Sequence, residues 1–432
     1  MSKRSNYARS HNAIQSRFDW PLITTFILLM IFSLLTVLST TYLQFEQGSL
    51  RPFVMQNIWY GVGIISAIIL AQINYETLFK LAPLGYCFGL LLLVAVLIFY
   101  DRDIYVAGGA KSWLSFAGLT FQPSELMKFF YILMLARLVR DYTVLCNSSH
   151  YEQLPVRQQL NMDWKFLFRL VLWSLPPFVL VLAQNDFGTM LVFMVILIGV
   201  IFVSGISWRI IIPSLLILGA VFSLLLFLVL YDRDLLLKIG FQNYQFSRID
   251  SWLEPFGSTA GESYQLSQSL KAIGSGQIIG KGLGAFEVYV PVRESDMIFA
   301  TIGENFGFLG SSFLILLFFI LIYIIIARSF STGRSFYATF AAGTVSMLAF
   351  HIMENIGMNI GLLPLTGIPL PFISQGGSSL VTCCMCLGVV ASIRYQDHTT
   401  KKTTHRLNHL LLVLVEKLKV EHWPIIRNLP TF

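Results

Sequence analysis

Carboxylates stand at the start of one long apolar run of this sequence, where they could take part in acid–base chemistry. Glu294-Ser295-Asp296 precedes the run, and Glu304 lies two turns into it. One helical face then carries two carboxylates with small residues between them, namely Asp296, Ala300, Gly303, Glu304 and Gly307. An ionisable group at a membrane edge is a functional candidate by default, although a helix cap is the ordinary role of an aspartate such as Asp296. The Gly303–Gly307 spacing favours close helix packing.

A lysine and a glutamate precede another apolar run. Lys111 stands near Trp113, and Gln122-Pro123-Ser124-Glu125 follows. A lysine ammonium near a helix N-terminus suits a phosphate, but the same residues could equally anchor the chain at the membrane interface. Proline and glutamate in a first turn also form an ordinary helix start, so a structural explanation of Glu125 has equal weight.

A polar stripe and an irregular segment lie near the end of the chain. His351, Asn355 and Asn359 recur every four residues, with Glu354 beside them. Such a stripe inside lipid must face a partner or a cavity. The segment 366–379 contains two prolines, a glycine pair and several hydroxyls, which is typical of broken backbone that lines a cavity. The residues alone therefore predict an outward-facing polar cleft for an anionic or sugar-like lipid ligand.

The elements that position these residues are predicted to be membrane-spanning helices. Of 432 residues, 55% are hydrophobic and only 12% are charged, which excludes a water-exposed surface of ordinary composition. A crossing needs about 20 apolar residues, and ten runs qualify: 20–43, 54–73, 77–100, 123–141, 166–183, 187–204, 209–231, 297–327, 336–361 and 377–395. We therefore predict an all-α polytopic membrane protein with about ten transmembrane helices. The net charge of +7 is spread between the apolar runs, so we expect no nucleic-acid partner.

The distribution of lysine and arginine between the connections predicts that both termini are cytoplasmic. Residues 1–19 then form a cytoplasmic segment, 20–395 the transmembrane domain and 396–432 a basic cytoplasmic tail. Leucines on one face of 403–425 predict a helix that lies in the membrane interface or docks on the protein itself. The connection 232–296 becomes a large extracytoplasmic loop between helices seven and eight. It shows no clear helix or strand period, and a structureless loop of this length is typically functional.

One stretch of this long loop superficially resembles a phosphate-binding loop. The run from Gly274 to Gly282 is rich in glycine and contains a lysine. Ser275 stands where the first glycine belongs, and Gly282 replaces the required serine or threonine. A flexible, tightly turning loop is the better interpretation.

These motifs in combination resemble the SEDS family of shape, elongation, division and sporulation proteins, over roughly residues 20 to 395. The motifs that carry the resemblance are Gly109-Ala110-Lys111 with Trp113, Gln122-Pro123-Ser124-Glu125, Asp186-Phe187-Gly188-Thr189, Arg248 with Trp252, Tyr264-Gln265, Glu294 to Ala300 and Gly367 to Ser379. The stretch from Gly367 to Phe372 is more similar to the elongation members of the family than to the division members.

The resemblance implies a peptidoglycan glycosyltransferase that polymerises lipid II into glycan strands at the outer face of the bacterial cytoplasmic membrane, for cell elongation and shape. It matches Asp296 to the family's essential aspartate, which we interpret as the base that deprotonates the attacking sugar hydroxyl. The implied substrate-binding residues are Lys111, Glu125, Arg248, Gln265, Glu304 and Ser378. Lys111 and Arg248 are candidates for neutralising phosphate charge.

The resemblance also implies partners, and it leaves room for a cofactor. Glu125 and Glu304 would orient cations or hold a divalent cation, the one cofactor the sequence leaves open. The implied partners are lipid II, a class B penicillin-binding transpeptidase and other membrane proteins of the elongation complex.

Three positions depart from the family pattern: Asn185 in place of a proline, Asn305 in place of an acidic residue and Gln375 in place of an aromatic residue. Rival functions also stay open. A lipid II flippase would need groups at the membrane midplane, such as His351 and Glu354. A scaffold that only activates its transpeptidase partner would tolerate the loss of Asp296. A division-specific polymerase is a further alternative.

Overall fold

A computed structural model describes residues 19–42, 50–116, 119–148, 151, 153–239, 243–257, 261–330 and 333–394. The predicted cytoplasmic segment at the N-terminus, apart from Asp19, lies outside the described residues. So does the tail from residue 395 onward, including the helix predicted at 403–425.

The described chain is almost entirely helical, as predicted. Its helices are α1 (Trp20–Tyr42), α2 (Arg51–Gln72), α3 (Tyr75–Phe99), α4 (Arg102–Gly108), α5 (Pro123–Cys146), α6 (Val156–Ala183), α7 (Phe187–Val203), α8 (Trp208–Tyr231), α9 (Arg233–Ile239), α10 (Asn243–Leu253), α11 (Gly261–Ser275), α12 (Ile298–Phe330), α13 (Ser335–Asn359) and α14 (Gly377–Arg394). Strands β1 (Leu114–Phe116) and β2 (Leu119–Phe121) form a short antiparallel hairpin before α5.

A helix lies at each of the ten predicted spans. Within the described residues, eight of these helices are long and apolar enough to cross a membrane. The two others are α5, which carries five charged side chains, and α7, which has 17 residues. The polytopic all-α architecture is therefore confirmed, while the count of ten crossings stays a prediction.

The long loop 232–296 contains regular structure, so the expectation of a loop without helical periodicity was wrong. Helices α9, α10 and α11 occupy much of it. The buried face of α11 consists of Leu266, Ser267, Ser269 and Ala272. Because serines share this face with apolar residues, the helical period is hidden from a hydrophobicity pattern.

The eighth predicted span is broken near its start, whereas the sequence indicated one uninterrupted helix over 297–327. Gly307 has φ 62° and ψ −158°, which interrupts α12. The backbone hydrogen bonds displaced by the break are taken up by the turn after α11: Phe308 N donates to Gln277 O at 2.9 Å and Leu309 N donates to Ile278 O at 3.0 Å. The physical reason for the kink is therefore a loop that pairs with the helix backbone, at a residue without a Cβ.

Glycines on both partners permit this contact, which confirms the close packing predicted from the Gly303–Gly307 spacing. A Cβ on Gly276 would lie 1.9 Å from Gly303 O, and a Cβ on Gly280 would lie 2.2 Å from Asn305 O. The run that resembled a phosphate loop thus packs on α12, and its tight turning is confirmed by positive φ at Gly280 and Gly282.

We expect Gly307→Ala to destabilise the protein strongly. The new Cβ would lie 2.3 Å from Gly280 N and 2.7 Å from Ile278 O, both backbone atoms, and the residue would keep a positive φ. Such backbone strain alone costs about 1–3 kcal/mol. The matched control is Gly219→Ala in α8, where a Cβ meets nothing within 4 Å. Thermal unfolding in detergent measures both, and equal melting temperatures would contradict the tight contact.

Candidate active site

A polar cavity of about 470 Å³ lies where α5, α7, α13 and α14 meet the end of the long loop. Four of the predicted site residues line it: Glu125, Arg248, Asp296 and Ser378. Three others do not, namely Lys111, Gln265 and Glu304. The sequence therefore located the cavity but not every side chain in its wall.

Asp296 is held in the cavity by its backbone, not by its carboxylate. Asn355 Nδ2 donates to Asp296 O at 2.8 Å, and Asn359 Nδ2 donates to the same oxygen at 3.1 Å. This explains the polar stripe of α13, whose asparagines face the start of α12. No described residue donates a hydrogen bond to the Asp296 carboxylate, which argues against the helix-cap explanation and leaves the side chain available to a ligand.

The charge state of Asp296 is set by its surroundings. Burial raises the pKa of Asp296 to about 7, while nearby Arg248 lowers it and Glu294 raises it. A carboxylate with a pKa near the working pH is well suited to accept a proton during a reaction.

The irregular segment before α14 forms the wall opposite Asp296, as predicted from its prolines and glycines. Gly367 has φ 74°, and a Cβ there would lie 3.3 Å from Asp296 Oδ2. Ser374 Oγ accepts from Leu370 N at 2.8 Å and donates to Ser295 O at 2.7 Å. Gln375 N donates to Glu294 O at 2.9 Å. These bonds fasten the segment to the residues that carry the carboxylate.

Arg248 reaches the cavity from α10. Its Nη1 donates to Thr366 O at 3.4 Å, and its Nε lies 3.4 Å from Glu262 Oε1. Trp252, one turn further along α10, donates from Nε1 to Gly361 O at 3.0 Å. Helix α10 is thus fixed at two points to the chain that follows α13, which places a cation beside Asp296.

Glu125 belongs to a buried cluster that includes a residue the sequence analysis missed. Lys128 Nζ donates to Glu125 Oε1 at 2.8 Å and lies 3.2 Å from His351 Nε2. The Glu125 and Lys128 side chains are 4% and 1% exposed, and all three residues line the cavity. A lysine five residues inside a predicted span was the available signal, because a charge at membrane depth is by default functional.

Ser378 joins a hydrogen-bonded network at the start of α5. Its Oγ accepts from Gln122 N at 3.3 Å, and Gln122 Nε2 donates to Asp186 Oδ2 at 3.0 Å. Asp186 caps α7 by accepting from Thr189 N at 3.0 Å.

Asn185, which stands where the family pattern has a proline, adopts a backbone conformation that proline cannot adopt. Asn185 lines the cavity with φ 60°. Asparagine tolerates this left-handed region, whereas the ring of proline fixes φ near −65°. Proline could not occupy this turn as the structure has it.

The three predicted site residues outside the cavity lining have other surroundings. Lys111 Nζ lies over the rings of Tyr100 and Tyr105, 5.2 and 5.4 Å from their centroids. Gln265 is half-buried on α11. Glu304 is fully buried and pairs with Arg293 Nη2 at 2.6 Å.

Glu304 and Asn305 fasten the long loop to α12. Glu304 Oε1 accepts from the backbone N–H groups of Glu287 and Val288 at 3.0 and 3.2 Å. Asn305 Oδ1 accepts from Gly284 N at 2.9 Å, while its Nδ2 donates to Thr301 O at 3.0 Å. A carboxylate could not make the second of these bonds, which accounts for the amide at this position.

A divalent cation remains a prediction. In the part of the chain that the structure describes, no three His, Cys, Asp or Glu side chains are grouped so that they could hold a metal ion. Glu125 and Glu304 also lie in different places, one in the cavity wall and one beside Arg293.

The helices and the cavity define a polytopic membrane protein with a carboxylate and a cation at a polar site. The family model described as "Cell cycle protein", which covers FtsW, RodA and SpoVE, matches residues 19–399. The chain therefore belongs to this family, the SEDS family, and it is a multi-pass protein of the bacterial cytoplasmic membrane.

Relatives from both branches of the family are similar to the chain. "Probable peptidoglycan glycosyltransferase FtsW" of Neisseria gonorrhoeae is 32% identical and aligns with 88% of this chain and 85% of its own length. "Peptidoglycan glycosyltransferase MrdB" of Escherichia coli K12 is 31% identical and aligns with 79% of this chain and 84% of its own length.

Solved structures share the fold. One is a chain of a peptidoglycan synthase complex that coordinates polymerisation and crosslinking, with TM-score 0.68, 25% identity, and coverage of 88% of this chain and 98% of that one. Another is the rod shape determining protein RodA of Thermus thermophilus, with TM-score 0.60 and 25% identity. The alignment covers 87% of this chain and 96% of that one.

Proposed function

We propose that this protein polymerises lipid II into glycan strands at the outer face of the cytoplasmic membrane. Its family relatives are peptidoglycan glycosyltransferases by name. The observation that carries the proposal is that one cavity is lined by both Asp296, whose pKa is raised, and the cation Arg248. Transfer of a sugar from a pyrophosphate carrier needs a base for the attacking hydroxyl and positive charge for the leaving group.

In the proposed reaction the Asp296 carboxylate takes the proton of a sugar hydroxyl. The hydroxyl oxygen forms a bond to the anomeric carbon of the second substrate, and the bond from that carbon to the pyrophosphate oxygen breaks. The polyprenyl pyrophosphate leaves with the electron pair, and Arg248 stabilises its charge, with Lys111 near the cavity as the second candidate cation. Ser378, Gln265 and the Glu125 cluster are proposed to bind or orient the sugars.

We further propose a role in cell elongation and a class B penicillin-binding transpeptidase as partner. The similarity of Gly367 to Phe372 to elongation members supports the first proposal, although the relatives include the division branch equally. The structural likeness to a chain of a synthase complex that couples polymerisation to crosslinking supports the second. Other membrane proteins of the elongation complex are proposed partners on the same grounds.

The test is to incubate the purified protein with lipid II and to resolve the glycan products by length at several pH values. We expect long strands, and a rate that falls about tenfold for each pH unit well below 7, because the proposed base must be deprotonated to act and its pKa is about 7. A rate that is constant from pH 5 to 8 would contradict Asp296 as the base. Movement of lipid II across vesicle bilayers without any polymer would instead favour the flippase.

A further inference from the structure

Glu262 contacts the cation of the active site and has no part in the reaction described above. It lies in the first turn of α11, and its Oε1 is 3.4 Å from Arg248 Nε. Its second oxygen, Oε2, accepts from Ser247 Oγ at 3.3 Å. Glu262 and Arg248 are about one third exposed, at 32% and 30%, so this pair lies at the rim of the cavity rather than inside it.

Arg248 thus has a partner on two sides, an ion-pair contact with Glu262 that is not a hydrogen bond and a hydrogen bond to a backbone oxygen. Glu262 contacts its Nε, and Thr366 O accepts from its Nη1. Asp296 is the other carboxylate that acts on Arg248, from inside the cavity. An arginine beside two carboxylates can pair with either one, and a full pair with Asp296 would consume the base and the cation together.

We propose that Glu262 is a positioning residue: it holds Arg248 at the rim and so prevents this cation from forming an ion pair with Asp296. The inference rests on the proposed function, because it explains how a base and a cation can stay separate in one cavity. Glu262 is not among the residues that line the cavity, and it acts through Arg248, which is.

The charged and titratable groups around Asp296 come from every element that meets at the cavity. They are Glu294 on its own segment, Arg248 on α10, Glu125 and Lys128 on α5, Asp186 before α7 and His351 on α13. Glu125 and Lys128 compensate each other in a buried pair, and Asp186 is engaged as a cap. Arg248 is therefore the cation whose position has most influence on the charge of Asp296, and Glu262 is the residue that controls that position.

The test is the pH dependence of lipid II polymerisation by Glu262→Ala. Without Glu262, Arg248 is free to approach Asp296, so the acid limb of the profile should move to lower pH. The expected shift is about 0.3–1.2 pH units, as for one charge acting over roughly 10 Å at an effective dielectric constant of about 20–80. Glu262→Asp should restore the wild-type profile in part. Glu287→Ala removes a 71% exposed carboxylate of the long loop and should leave the profile unchanged.

A second measurement separates action through Arg248 from a general loss of negative charge. In an Arg248→Gln background, Glu262→Ala should shift the profile by less than half as much, because the intermediary is absent. An unshifted or upward-shifted profile in Glu262→Ala, or an equal shift in both backgrounds, would overturn the inference. If the alanine variant does not fold, Glu262→Gln keeps the shape and should shift the profile in the same direction. A wild-type protein that makes no polymer would instead overturn the proposed function, and this inference with it.

Discussion

Asp296→Asn should abolish glycan polymerisation by a protein that is still folded and inserted in the membrane. The asparagine amide cannot accept the proton of the attacking hydroxyl, and loss of a general base typically costs about a hundred- to ten-thousand-fold in rate. The fold should survive because Asn355 and Asn359 bind the backbone oxygen of residue 296, which the substitution does not change. The measurement is strand formation from lipid II, together with the melting temperature of each protein.

The control is Glu287→Gln, which removes one carboxylate elsewhere in the same loop and should polymerise at the wild-type rate. If Asp296 were only a cap, asparagine would replace it at little cost, since the two residues cap helices about equally well. Near wild-type polymerisation by Asp296→Asn would therefore refute the role of Asp296 as the base, while the protein would still be a polymerase.

Lys128→Met should produce the largest loss of stability among the cavity residues. The substitution leaves the Glu125 carboxylate buried without its 2.8 Å partner. Removing one member of a buried ion pair typically costs about 3–5 kcal/mol, because the remaining charge is uncompensated. The melting temperature in detergent should fall accordingly, and His351 Nε2 loses its neighbour at the same time.

Two comparisons show whether the cost comes from the stranded charge. Arg140→Met breaks an ion pair at the surface, in which the side chains of Arg140 and Asp141 are 38% and 39% exposed. The loss of this pair should change the free energy of unfolding by less than about 1 kcal/mol. The double variant Glu125→Gln with Lys128→Met should be more stable than Lys128→Met alone, since it leaves no uncompensated charge. A Lys128→Met variant as stable as wild type would contradict a stranded charge as the source of the cost.

The helices and the place of Asp296 in the cavity could be predicted because their signals are local. Apolar runs of about 20 residues locate helices whatever surrounds them, and the prolines and glycines of 366–379 indicate an irregular segment wherever it packs. Asp296 stands next to the start of α12, at a position that the periodicity of that helix defines. Boundaries were less accurate: α6 begins ten residues before the predicted span, because its first turns are polar and only its later part must lie in hydrocarbon.

The pairings inside the site could not be predicted, because they join residues that are far apart in the chain. Lys128 and His351 are 223 residues apart, so their contact depends on how α5 and α13 are rotated about their axes. The pairing of Glu304 with Arg293 was not predicted, because the two residues are 11 positions apart and look like separate features until the loop is folded back. The kink at Gly307 likewise depends on backbone atoms of residues 278 and 280, which no periodicity of α12 encodes.

The sequence distances between contacting residues also bear on how the protein is made. Gln122 N bonds to Ser378 Oγ, and Ser33 Oγ donates to Ile373 O at 3.0 Å across 340 residues. A nascent chain that has emerged as far as Glu304 already has Asp296 and Arg248. It still lacks the wall that contains Gly367 and the serine that joins α14 to α5. Synthesis at about 5–20 residues per second delivers these parts only seconds later. Membrane insertion therefore completes the cavity last, because a half-made chain lacks the wall that encloses it.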